Sequence, residues 1–406
     1  MIVSNKYKLP NPLSWSLNKS AGYVFIFFSL LPWVNFGLNY RDSQPWALLF
    51  GSIFLLTSFK NIFYQKDIFI FLLPLIAMLV WLLFSRNILD FVALRALLNY
   101  STISICLFAF LIFFRKYEFP MGLFIGINIT YLVVGVIQLY IPDIVSSIVI
   151  SRGLGDSGRG VTSLAPEPTF FGIFLFFISF IFLVQSEFKP SYKISILIFL
   201  NIIAIILLSK SSTVLLFVLL SIPVILATRL RLITLILIIL SLTVMAFILY
   251  YFLEDTRIMI LYELLREQGI AKLIFIDASV NDRVANIIYP IHGFYLNNFL
   301  PSGFHSFTET HSYLNDYYLG FFNYGSGSTS ILSYLGAFLY ELGFMGLFFL
   351  IWIFVRMQNG TFSTFVDCIL FFILLNSSIP PSFPLIPLTM ALFILNNENS
   401  KSLNNA

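Results

Sequence analysis

The stretch "FFGIFLFFISFIFLV", residues 170–184, carries no charged side chain, and runs of this kind recur along the whole 406-residue chain. No other feature constrains the fold as strongly. A segment that enters hydrocarbon must satisfy its backbone N–H and C=O groups internally, which leaves only helices and closed barrels. These runs are continuously apolar rather than alternating, and they approach the roughly 20 residues that a membrane-crossing helix needs. Composition agrees: 59% of the residues are hydrophobic and 10% are charged, against about 45–50% and about 25% in soluble domains. The chain is expected to be an all-α polytopic integral membrane protein, with residues 1–406 forming one membrane domain.

Apolar runs at 21–38, 46–59, 68–84, 98–114, 121–142, 169–185, 192–208, 213–227, 230–252, 329–355, 362–377 and 382–395 predict about twelve transmembrane helices. With the N-terminus in the cytoplasm, thirteen Lys and Arg fall in inside segments. Six (Arg41, Arg86, Arg95, Arg152, Arg159 and Lys210) fall in short outside ones. That bias predicts an N-in, C-in topology. The first apolar run is longer than a signal-peptide core and lacks a small-residue cleavage site, so it reads as a retained helix. The net charge of +4 is scattered over short loops without a basic arm, so no nucleic-acid partner is expected. Cys106 and Cys368 both lie inside predicted spans and form no disulfide framework.

One segment has the polarity of a soluble piece. Residues 253–328, outside in this topology, contain all three histidines (His292, His305 and His311) together with Arg283 and eight carboxylates. A connection this long, with periodicity of its own, is usually functional. Within it "SVNDRVANIIYPI" (279–291) reads as a capped helix, with Ser279 as N-cap and Asp282 as its acidic partner.

Four places outside or within the spans carry chemistry. The glycine-rich stretch 151–172 holds Arg152, Arg159 and Glu167 and runs into "APEPTFFG", where Pro168 and Glu167 suit the positive start of a helix. "LLSKSSTVLL" (207–216) sets Lys210 at the outer boundary. Arg152, Arg159, Lys210 and Arg283 together would make a cationic pocket at the outer leaflet, and the arginine fork suits phosphate oxygens. Singly, each has a plainer role as a headgroup anchor. His311, in "ETHSYLNDYYLG" (309–320), can accept a proton near neutral pH and so act as a general base. Glu341 falls inside a predicted span, must face the bundle, and is flanked by Gly336, Gly343 and Gly346, which would allow close helix packing. No Walker A loop, nucleotide-binding GxGxxG, HExxH or i, i+4 histidine pair occurs. Neither ATP-driven transport nor a metal site is expected, and no cofactor.

The order of these elements resembles the O-antigen polymerase (Wzy-type) family. "RGVTSLAPEPTFFG", "LLSKSSTVLLFVL", "NDRVANI", "THSYLNDYYLG" and "LYELGFMGLFFL" follow one another over residues 120 to 355. The pattern is also similar to that of the related O-antigen ligases. The resemblance implies a bacterial inner-membrane glycosyltransferase that needs no metal. It would transfer a growing glycan from undecaprenyl pyrophosphate to a new lipid-linked repeat unit at the periplasmic face, with a chain-length regulator as a further partner. It implies a pyrophosphate role for Arg283 and for Arg159 or Arg152, and a base role for His311. The competing expectations are a ligase that uses a lipid core as acceptor, and a flippase without chemistry.

Overall fold

The computed structural model describes residues 12–35, 44–58, 65–85, 90–146, 148–149, 160–229, 257–322, 331–376, 379 and 381–404. Every regular element among the described residues is a helix. In order they are α1 (Pro12–Ser29), α2 (Trp46–Thr57), a 3-10 turn (Gln65–Phe71) running into α3 (Leu72–Phe84), α4 (Phe91–Lys116), α5 (Met121–Gln138) and α6 (Pro168–Gln185). Then come α7 (Tyr192–Ala204) with a π turn (Ile205–Ser209), α8 (Ser212–Arg229), α9 (Arg257–Ile276), α10 (Ala278–Leu296) and α11 (Phe307–Tyr317). The chain closes with α12 (Tyr334–Met357), α13 (Phe362–Leu374) and α14 (Leu385–Asn404).

Among the described residues, seven helical segments are long and apolar enough to cross a membrane, and α2 and α13 are shorter apolar helices. Large apolar side chains stand on the outer faces, among them Leu56, Leu83 and Phe348, each about two-thirds exposed or more. A soluble protein would not tolerate so many such residues; a bilayer covers them. The chain is thus a helical membrane protein. The ninth predicted span, 230–252, lies outside the described residues.

The core is built around α6. Residues 171 to 182 are all buried, as expected of a helix that is apolar on every side. α14 packs against α6 and α4. Asn396, on α14, donates its side-chain amide to the Val184 carbonyl at 3.0 Å. Polar side chains tie the bundle where no hydrophobic force can act between helices. Asn128 on α5 donates to Asn201 on α7 at 3.0 Å, and Asn201 donates to Ser179 on α6 at 2.8 Å.

The two ends of the bundle differ in chemistry. At one end Asp67, only 1% exposed, accepts from Arg115 and Arg356, and Glu398 pairs with both arginines. At the same end Arg229 forks onto Asp367 and lies 3.5 Å over the Phe188 ring. Charges this enclosed persist because they are paired and hydrogen-bonded. The opposite end carries the start of α6, the turn between α7 and α8, and the layer formed by α10 and α11.

Candidate functional site

Two segments meet at that second end. Gly160 lies flat against the turn after α7: a Cβ there would come within 2.2 Å of the Leu208 and Ser209 carbonyl oxygens. The Val161 N–H donates to the Leu208 carbonyl at 2.8 Å, and the Ser209 hydroxyl donates to the Pro168 carbonyl at 3.0 Å. Gln138, at the end of α5, holds the other side by accepting from the Ser163 N–H and donating to the Thr162 hydroxyl. The structure therefore brings Glu167 and Lys210, one residue from Pro168 and Ser209 respectively, into one neighbourhood.

Each has a distinct setting. Pro168 occupies the first position of α6, and Glu167 precedes it in extended conformation, without a capping hydrogen bond from its side chain. Its place at the positive helix end still favours a carboxylate. Lys210 is exposed and left-handed, with φ +48°, where it closes the π turn. A non-glycine residue in that region costs about 1–2 kcal/mol, and π turns are frequent at functional sites. Arg152 and Arg159 lie outside the described residues.

The polar segment read from sequence as one loop contains three helices. α10 starts earlier than expected: its capping oxygen is that of Asp277, which accepts from the Val280 N–H at 2.8 Å. Ser279 therefore sits inside the first turn and is not the cap. An aspartate caps as well as a serine does, and Asp277 is the residue that holds the extended backbone. Asp282 is bonded by Asn286 within the helix at 3.1 Å. Burial raises the Asp282 carboxyl above its ordinary range, opposed by the neighbouring Arg283 charge. Arg283 itself is half-buried.

His311 lies on the inward face of α11, only 3% exposed. The Tyr289 ring of α10 meets it edge-on at 4.8 Å, and Phe307 meets it at 5.7 Å. Its Nε2 is buried and has no hydrogen-bond partner, and the same is true of the Tyr289 hydroxyl and the Asn315 side-chain oxygen. Buried polar atoms in folded proteins are nearly always bonded, so three orphans along one seam mark it as unusual. Burial lowers the His311 pKa below 6.5 and pushes the Tyr289 hydroxyl up to about 12. The imidazole is neutral at pH 7.

A pH effect follows from the sign of that shift. The unfolded segment binds a proton near pH 6.5 and the folded one only below that. The contribution of neutral His311 to stability is therefore complete above about pH 6.5 and lost as pH falls below it. Lowering the pH from 7.5 to 5.5 should reduce the hydrogen-exchange protection factors of amides in 307–317, taken relative to the intrinsic base-catalysed rate at each pH, and His311→Phe should remove that reduction. An equal reduction in both proteins would show that another group titrates.

Glu341 stands where α12 breaks. Gly343 has φ +61° and ψ −146°, a region open essentially to glycine alone. The segment 299–302 fills the break. The Ser302 N–H donates to the Tyr340 carbonyl at 3.0 Å, and the Phe344 N–H donates to the Phe299 carbonyl at 2.9 Å. Gly343 thus serves a discontinuity and not the close helix packing expected of it. Tyr100 of α4 donates to Glu341 at 2.7 Å, which joins two helices. The Tyr340 hydroxyl shares a 2.6 Å hydrogen bond with Thr310 of α11.

The sequence-derived residues thus fall into two groups at the same end of the bundle. Glu167 and Lys210 lie where the start of α6 meets the turn between α7 and α8. His311, Arg283 and Glu341 belong to the packing of α10, α11 and α12. Along α10, Arg283 is six residues from Tyr289, about 9 Å of helix rise. The remaining histidines hold structure: His292 shares a 3.0 Å hydrogen bond with the Tyr318 hydroxyl, and His305 pairs with Asp90. Sequence reasoning missed Tyr100. Its role depends on a neighbour distant in sequence, and no local pattern announces it. No protein-family model matches this chain, and no curated protein sequence matches it.

Proposed function

We propose that this chain polymerises a bacterial surface polysaccharide at the periplasmic face of the inner membrane, acting as a metal-independent glycosyltransferase. The donor is a glycan on undecaprenyl pyrophosphate and the acceptor is a lipid-linked repeat unit. The observation that carries this reading is His311: a buried, neutral imidazole with an unpartnered Nε2, in a helical layer over one end of an apolar bundle.

The reaction divides among the residues as follows. An acceptor hydroxyl oxygen attacks the anomeric carbon of the donor and forms the new glycosidic bond. The bond from that carbon to the pyrophosphate oxygen breaks, and its electron pair leaves with the polyprenyl pyrophosphate. His311 Nε2 takes the hydroxyl proton. Arg283 and Lys210, with Arg159 or Arg152, stabilise the charge that develops on the leaving group, an effect made only in the transition state. Glu167 and Glu341 support the two halves of the site. General-base contact needs about 2.6–3.2 Å between heavy atoms, but Nε2 is buried and the Tyr289 and Phe307 rings pack against the imidazole. The seam between α10 and α11 therefore has to open for the acceptor to enter.

The test is an electrophoretic profile of surface polysaccharide from a strain lacking this gene. The reading expects single-repeat glycan in the deletion and a restored ladder on complementation. An unchanged ladder would overturn it in favour of a transporter role. Complete loss of glycan would overturn it in favour of a ligase or flippase.

A further inference from the structure

α11 presents two faces. Phe307, His311 and Leu314 are buried. On the other side Ser306, Glu309, Thr310 and Tyr313, spaced i, i+3, i+4 and i+7, line an open cleft of about 500 Å³. Its far wall is the end of α10, at Gly293, Leu296 and Asn297, and its floor includes Tyr340 and Ser302 at the break in α12. The volume lies within the range of small-molecule sites, about 300–1,000 Å³. Nothing in the proposed reaction has used this cleft.

From this geometry we infer that the cleft is a carbohydrate subsite, which holds the acceptor sugar beside the α10–α11 seam. The inference rests on the glycosyltransferase reading. Three observations point to a ligand rich in neutral hydroxyls. Among the described residues, the lining contains no Lys, Arg or His. It offers a carboxylate at Glu309, an amide at Asn297 and a hydroxyl cluster, in which Tyr340 bonds Thr310 at 2.6 Å and receives Ser306 at 3.3 Å. Carboxylates accept from sugar hydroxyls, and amides and hydroxyls both donate and accept. Finally, Tyr313 stands at the rim with 57% of its surface exposed. Tyrosine joins an apolar ring to a polar tip, and the ring can lie against the C–H face of a pyranose.

The floor of the cleft is rigid for a physical reason. The Ser302 N–H to Tyr340 carbonyl bond ties the loop to the broken helix. Asn297 also donates to the Leu300 and Pro301 carbonyls at 3.1 and 3.0 Å. Thr310, in the cleft, is the chain neighbour of His311 in the seam. A sugar held by Glu309 and Tyr313 would therefore lie beside the helix that carries the base.

The experiment uses full-length protein in detergent and saturation-transfer NMR with methyl glycosides of glucose, galactose, mannose, rhamnose and N-acetylglucosamine. The expected result is transfer to at least one glycoside, reduced at least five-fold by Tyr313→Ala and by Glu309→Gln. Tyr192→Ala, an exposed tyrosine at the opposite end of the bundle, should leave it unchanged. Tyr313 is exposed and Glu309→Gln is isosteric, so both variants keep the fold, which a thermal melt checks. The assignment is overturned by any of three results: no transfer to the wild type, equal transfer in both cleft variants, or displacement of the glycoside by inorganic pyrophosphate. The polysaccharide profile separates this from the parent reading. Glycoside binding with an unchanged ladder in the deletion would sink the polymerase reading and leave the cleft standing. A deletion that loses its ladder, regained in full by both cleft variants, would sink the cleft alone.

Discussion

His311→Ala should leave the protein in the membrane at its normal level and remove the long glycan chains. Loss of a positioned general base lowers a rate by roughly 10²–10⁴. A polymer made by repeated transfers amplifies such a loss, because every added unit meets the same slowed step. Arg283→Ala should have the same outcome by another route, loss of charge stabilisation at the leaving pyrophosphate. Two controls separate chemistry from folding. Immunoblots of the membrane fraction report insertion, and Arg283→Lys keeps the charge but not the two-pronged geometry, so partial chain length is expected from it. Wild-type ladders from His311→Ala would exclude the imidazole as base. Since Nε2 is buried against Tyr289 and Phe307, Tyr289→Phe should be mild: it removes an orphaned hydroxyl and keeps the ring.

The second large effect is on the fold. Gly343→Ala forces a Cβ to within 2.5 Å of the Pro301 nitrogen and 2.6 Å of the Leu300 carbonyl carbon, at φ +61°. The close atoms are backbone and cannot turn aside. Holding a non-glycine residue in this glycine-only conformation costs about 1–3 kcal/mol and overpacking about 1–3 kcal/mol. Together they would free the 299–302 segment from the break in α12. The expected result is a clearly lowered melting temperature in detergent and faster proteolysis within 297–303. Gly122→Ala serves as the control, because a Cβ there meets nothing within 4 Å. A melting temperature equal to wild type would show that the break does not require glycine.

Much of the architecture is legible in the chain itself. An uncharged stretch such as 170–184 admits one answer in hydrocarbon, so the membrane helices follow from the pattern alone. Where local chemistry decides, as with the start of α6 at Pro168, reading and structure coincide. Where two local options compete, the reading slips: Asp277 caps α10 although Ser279 offers an equally good side chain, because the cap belongs to whichever residue the preceding helix leaves extended.

The candidate site is divided in the same way. The sequence alone determined that His311, Lys210, Glu167 and Glu341 are polar groups out of place in an apolar chain. Only the tertiary structure decided their surroundings: Tyr289 over the imidazole, Tyr100 on the carboxylate, and the 299–302 segment inside the broken α12. These partners come from distant parts of the chain. A pattern of period 3.6 tells which face of a helix is apolar, but not which other helix will meet it. That choice depends on shape and on the satisfaction of buried polar atoms, which exist only once the bundle has assembled.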